Sequence, residues 1–128
     1  MTGKITILGL LASGILLGCT MERSPDEQAL IDAFEPINTR EGFVAFAVGP
    51  RWTNDEIKVS FDADGGLSGD INGVAVTGTW IWQNDQICTT FLAADAGGEG
   101  CSKLGSRPSE LLVIPRGGSG APYTYVTG

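Results

Sequence analysis

Few side chains in this chain are equipped for chemistry. There is no histidine, which removes the commonest general base and the Ser-His pair. Fifteen carboxylates stand against eight Lys and Arg side chains, and the formal net charge is −7. Paired carboxylates serve glycosidases, but here the acidic residues fall in turns and in a first helical turn, where solvation and capping account for them. Asp62, Asp64 and Asp70 form the one acidic cluster with metal-like spacing. An EF-hand loop counted from Asp62 requires Asp or Asn at its fifth position, Gly at its sixth and Glu at its twelfth. Gly66, Leu67 and Gly73 stand there, so the stretch reads as a hairpin turn. No G-x-S-x-G, P-loop or helix-opening G-x-G-x-x-G occurs. The expectation is a non-enzymatic protein with no catalytic residue, no metal and no cofactor. Three residues remain as binding candidates. Trp82 lies near a strand end, where it would edge a pocket mouth. Ser119 and Tyr123 bracket the turn stretch Ser-Gly-Ala-Pro-Tyr.

The cysteines bear on location. Residues 1–4 are a short basic start, and residues 5–17 are an apolar run too short to span a bilayer comfortably. The run ends in Leu16-Leu17-Gly18-Cys19, which resembles the lipobox of bacterial lipoproteins. The resemblance implies cleavage before Cys19 and acylation of its sulfur and amine, and several acyl chains make a stable anchor. With no Asp after the cysteine, it further implies the periplasmic face of the outer membrane of a Gram-negative bacterium. Residues 1–18 are then a signal peptide, 19–24 a lipidated tether and 25–128 one domain. Loss of Lys4 with the leader takes the net charge to −8. That balance disfavours nucleic acid and attraction to anionic headgroups, so the lipid itself would hold the protein at the membrane. Cys88 and Cys101 remain, an even number in an oxidising compartment, for which a disulfide is the default. Two cysteines without histidine make a poor zinc site.

The elements that position these groups are mostly strands. Ser24-Pro25-Asp26-Glu27 is a helix start with a capping box, and Leu30, Ile31 and Phe34 share one face, giving a helix over residues 25–35. The apolar run 43–48 reads as a buried strand. Residues 56–61 alternate, with Ile57, Val59 and Phe61 inward. Residues 67–71 return. Asn72-Gly73 is a type I′ hairpin signal. In the strand 74–82, Val74, Val76, Gly78, Trp80 and Trp82 share one face, with Trp80 in the core. Further strands are expected at 87–92, 101–104, 111–114 and 123–126, with loops at 93–100, 105–109 and 115–122. Short, evenly spaced strands with Gly/Asn/Asp turns read as an antiparallel meander. The expectation is an all-β fold, a small antiparallel β-barrel of seven or eight short strands with one short N-terminal helix plugging an end. A β-sandwich is the alternative.

Three resemblances attach to these residues. The order Phe61-x-x-Asp64-Gly65, Gly69, Gly78-Thr79-Trp80, Ile87-Cys88-Thr89 and Cys101 over residues 55–126 is similar to the small secreted bacterial proteins of the DUF995 type. More loosely it resembles the calycin-like barrels with a Gly-x-Trp strand. The first family has no assigned activity, so the likeness implies fold and compartment. The bacterial metalloprotease inhibitors share a similar barrel with an inserting N-terminal segment, which a lipid at Cys19 would hinder. Ser119-Gly120-Ala121-Pro122-Tyr123 resembles the Ser-Gly-x-x-Tyr loop of C-type lysozyme inhibitors, which implies a role for Ser119 in contacting a lysozyme, with Tyr123 in support. The functional expectation is an envelope lipoprotein that binds or interacts, held by its lipid anchor and open to a protein partner. The alternatives are an inhibitor of an envelope-targeting hydrolase and a carrier of a small apolar ligand. The loops at 93–100 and 115–122 are the candidate functional surfaces.

Overall fold

A computed structural model describes residues 23–92 and 99–128. The Leu16–Cys19 motif and residues 93–98 of the expected surface loop lie outside the described residues.

Helix α1 (Pro25–Asp32) starts as its sequence dictates. Ser24 Oγ accepts from the Glu27 N–H at 3.2 Å, with Pro25 in the first turn. It ends earlier than its apolar spacing implies, because residues 35–37 are claimed by a strand. That strand, β1 (Glu35–Ile37), pairs antiparallel with β7 (Glu99–Arg107) through Glu35↔Ser106 and Ile37↔Leu104. Residues 43–48 are not the strand that their apolar run implies. Residues 43–47 belong to a second helix, α2 (Arg40–Ala47), and Val48 is its extended C-cap. Six apolar residues have no decisive period; the signal sits upstream, where Thr39 Oγ1 accepts from the Gly42 N–H at 3.0 Å and Glu41 lies in the first turn. Phe43 and Ala47, one helical turn apart, are both 0% exposed. Among the described residues, the stretch before β2 thus holds two short helices where one was expected.

The remaining strands are β2 (Arg51–Thr53), β3 (Ile57–Phe61), β4 (Gly66–Ile71), β5 (Val74–Gln83), β6 (Gln86–Phe91), β7, β8 (Glu110–Ile114) and β9 (Tyr123–Thr127). Each pairs antiparallel with its sequence neighbour, and β9 closes on β2 through Trp52↔Thr127 and Thr53↔Val126. The result is a closed eight-stranded up-and-down barrel with β1 added beside β7, which excludes the sandwich. The hairpin at Asn72-Gly73 has φ of 52° and 83°, and a second at Asn84-Asp85 has 53° and 61°, the conformation of type I′ turns. Gly78 is required by close approach: a Cβ there would lie 2.2 Å from the Thr90 carbonyl oxygen. Strand β7 runs through residues 105–107, expected as loop. Gly105 is there because Phe34 packs on it, not because the chain turns; a Cβ would meet that of Phe34 at 2.9 Å.

Alternation along β5 sorts the faces as expected, with Val76, Gly78 and Trp80 buried inside and Thr77, Thr79 and Ile81 exposed outside. Strand β8 is buried on both faces. Leu111 and Val113 point into the barrel, while Leu112 and Ile114 meet Phe34, Leu30 and Ile31 under α1. Cys88 and Cys101 are direct cross-strand partners on β6 and β7, and their sulfurs stand at disulfide distance.

Candidate functional site

The interior of the barrel has two unlike halves. At one end α2 lies across the opening. Phe43 packs edge-on to Phe61 at 5.2 Å and Trp80 at 4.8 Å, and stacks with Trp82 at 5.6 Å. Both buried indole N–H groups are satisfied, Trp52 by donating to the Ala47 carbonyl at 2.9 Å and Trp80 to that of Asp62 at 2.8 Å. The Arg40 guanidinium sits over the Trp80 ring at 5.1 Å. This end is filled by aromatic rings and closed.

The other half is not filled. A cavity of about 260 Å³ lies between Phe61 and Leu67 on one side and Tyr123 on the other. Small inward residues, among them Val76, Thr89 and Ser102, leave the space. Those of its lining side chains that are partly exposed include Ile57, Ile71, Phe91 and Tyr123, whereas Phe61, Leu67 and Leu104 are buried. The topology places the exposed group at the end opposite α2, where β3, β5 and β9 begin and β4 and β6 finish. This end is the mouth.

The walls are mostly apolar, with four hydroxyl side chains among them: Thr89, Ser102, Tyr123 and Tyr125. Tyr125 is buried, and its ring meets that of Tyr123 edge-on at 5.6 Å. Burial, with a smaller contribution from Tyr123, holds the Tyr125 phenol far above its ordinary range. It therefore stays neutral at any physiological pH and offers a hydrogen bond rather than a charge. An apolar cavity of roughly 150 Å³ accepts benzene. The larger space here suits an apolar molecule on the order of ten carbon atoms, with a neutral hydrogen-bonding group to meet the hydroxyls.

The three binding candidates read from the sequence are not brought together. Tyr123 stands at the mouth. Ser119 is exposed on the β8–β9 connector, after the short, irregular α3 (Pro115–Gly118), and its hydroxyl donates to the Arg116 carbonyl at 2.9 Å, turned into its own loop. Trp82 does not edge the mouth. It is half-buried at the opposite end, against Phe43, because the inward face of β5 climbs from Val76 at the mouth to the tryptophans under α2. The residues missed are Tyr125, Thr89 and Ser102. Period-two alternation from Tyr123 puts Tyr125 on the same face, and that from Ile87 puts Thr89 inward, so the signal was present. What alternation does not give is which part of the interior stays empty.

No protein-family model, curated protein or solved structure matches this chain.

Proposed function

We propose that the protein is a lipid-anchored envelope protein that binds a small apolar ligand in its barrel lumen and catalyses no reaction. The observation that carries this reading is the apolar cavity of about 260 Å³ with one closed and one accessible end. Barrels of eight strands are just wide enough for side chains to fill or for one small ligand to enter, and small residues below the aromatic layer favour the second outcome. The titratable groups of the lining are Lys58, Tyr123 and Tyr125. None of them pairs with a base or nucleophile there, so the arrangement suits holding a molecule rather than transforming it. The Leu16-Leu17-Gly18-Cys19 motif supports the anchor and the envelope location.

The test uses residues 19–128 with Cys19→Ser, so that no lipid occupies the lumen. Ligand-detected NMR with 1-octanol should show saturable transfer, and Val76→Phe, which fills the cavity from β5, should abolish it. Transfer unchanged by Val76→Phe, or none at millimolar octanol, would refute the reading.

A further inference from the structure

We propose that the lumen takes an uncharged medium-chain amphiphile, an alcohol or an amide rather than a fatty-acid anion, with its head turned inward and its tail at the mouth. This inference rests on the lumen reading and adds to it the class of ligand and its orientation. Most polar side chains of the cavity are not at its opening. Thr89 is the direct cross-strand partner of Trp80, so its side chain adjoins the aromatic layer under α2. Ser102 pairs with Ile87, which pairs in turn with Trp82. Tyr125 is buried, two residues further along β9 from the mouth than Tyr123. The mouth itself is lined by Ile57, Ile71 and Phe91, with Tyr123 the polar exception. Polarity thus runs opposite to that of a water-facing opening, with hydroxyls within and hydrocarbon outside them. An amphiphile entering head first satisfies both layers. Reversed, its tail would cover the inner hydroxyls and leave them without partners, at the cost of unmade hydrogen bonds.

The charge of the head follows from the same lining. Lys58 is the one cationic residue of the cavity wall among the described residues, and its side chain belongs to the outer face of the barrel. Ile57, Val59 and Phe61 are the inward set of β3, whereas Lys58 is exposed and pairs across β4 with Asp70, whose partner on β5 is the exposed Ala75. No cation therefore meets a head group that has reached Thr89, Ser102 and Tyr125. A buried carboxylate without a cationic partner pays a desolvation cost that a few hydroxyl contacts do not return. Tyr125 reports that cost directly, because burial is the main cause that holds its phenol neutral. Asp55 and Glu56, exposed on the turn between β2 and β3 at the mouth, further oppose the approach of an anion. A hydroxyl or amide head carries none of these costs. It both donates to and accepts from Thr89, Ser102 and Tyr125.

The experiment compares 1-octanol, octanamide and octanoate at pH 8 by ligand-detected NMR, on residues 19–128 with Cys19→Ser. The alcohol and the amide should bind saturably, and octanoate at least about a hundredfold more weakly. Lys58→Met should change neither result. Thr89→Val with Ser102→Ala should weaken octanol about tenfold at an unchanged unfolding midpoint. Orientation is read from tryptophan emission, since Trp80 and Trp82 lie in the layer beneath the hydroxyls. At saturation 2-bromo-1-octanol, with its heavy atom beside the head, should quench that emission several-fold more than 8-bromo-1-octanol. Octanoate bound as tightly as octanol, with or without Lys58, would overturn the charge selection. Stronger quenching by the tail-labelled alcohol would overturn the orientation. Either result, with octanol binding still lost in Val76→Phe, leaves the lumen reading standing. Failure of every ligand to bind would refute the lumen reading and this inference with it.

Discussion

The helix that closes the barrel gives the sharpest test of how the interior is built. Phe43 is fully buried and touches Phe61, Trp80 and Trp82. Truncating a buried phenylalanine to alanine removes its transfer free energy and leaves a void, at a cost of about 3–5 kcal/mol. The void from Phe43→Ala adjoins Phe61, whose other contacts face a cavity already present, so little can collapse into it and the cost should lie in the upper half of that range. A domain of this size has about 5–15 kcal/mol in total, so the variant should still fold, with a melting temperature lower by roughly 15–25 °C. Urea unfolding with the disulfide intact should show a lower midpoint at unchanged m-value. A second substitution separates helix from strand. Ala45 is exposed on α2, whereas in a strand it would share the buried face of Phe43 and Ala47. Ala45→Glu should therefore change stability by no more than about 0.5 kcal/mol. A loss below about 1 kcal/mol for Phe43→Ala, or an Ala45→Glu cost of several kcal/mol as for a buried carboxylate, would refute the capping role of α2.

Three further outcomes follow from the same structure. Cys88→Ser with Cys101→Ser should cost on the order of 3 kcal/mol in denaturant unfolding, and intact mass with and without reductant should show one bond in the parent protein. Gly78→Ala should cost about 1–3 kcal/mol or more, read as a lower midpoint, because its Cβ would meet the Thr90 carbonyl oxygen at 2.2 Å. Tyr125 sets an alkaline limit. Its folded-state phenol ionises far above the unfolded value of about 10, so the unfolded chain alone releases the proton above that pH. Its contribution is complete below pH 10 and shrinks as pH rises beyond it; Tyr125→Phe should flatten that alkaline decline, followed by unfolding midpoints from pH 8 to 11.5.

Much of the barrel was legible because its signals are local. Asn72-Gly73 set a hairpin, alternation set the inward face of β5, and the even spacing of strands implied a meander. The errors fell where local signals compete. Residues 43–48 are apolar and β-branched enough for a strand, but Thr39 caps a helix just ahead of them and the barrel end offers a place to bury Phe43 and Ala47. Residues 105–107 read as loop from their Gly and Ser content, whereas Gly105 lets Phe34 pack closely on β7. Both errors arise from tertiary contacts, which no window of sequence contains.

The cavity illustrates the same divide from the functional side. Inward positions were readable; the balance of volumes around the ring was not. On β5 the inward side chains pass from the small Val76 and Gly78 to Trp80 and Trp82, and the bulk at one end is met by Phe43 and Phe61. On β6 and β7 the inward Thr89 and Ser102 leave the gap open, and Phe91 lines it toward the mouth. A close-packed interior tolerates few voids larger than a water molecule, and filling this one would take only a larger residue at Val76 or Ser102. Keeping small residues there while packing four aromatic rings under α2 concentrates stability at the capped end and leaves space at the mouth. That asymmetry is the physical argument for a ligand: a barrel built only for stability would have no reason to be solid at one end and hollow at the other.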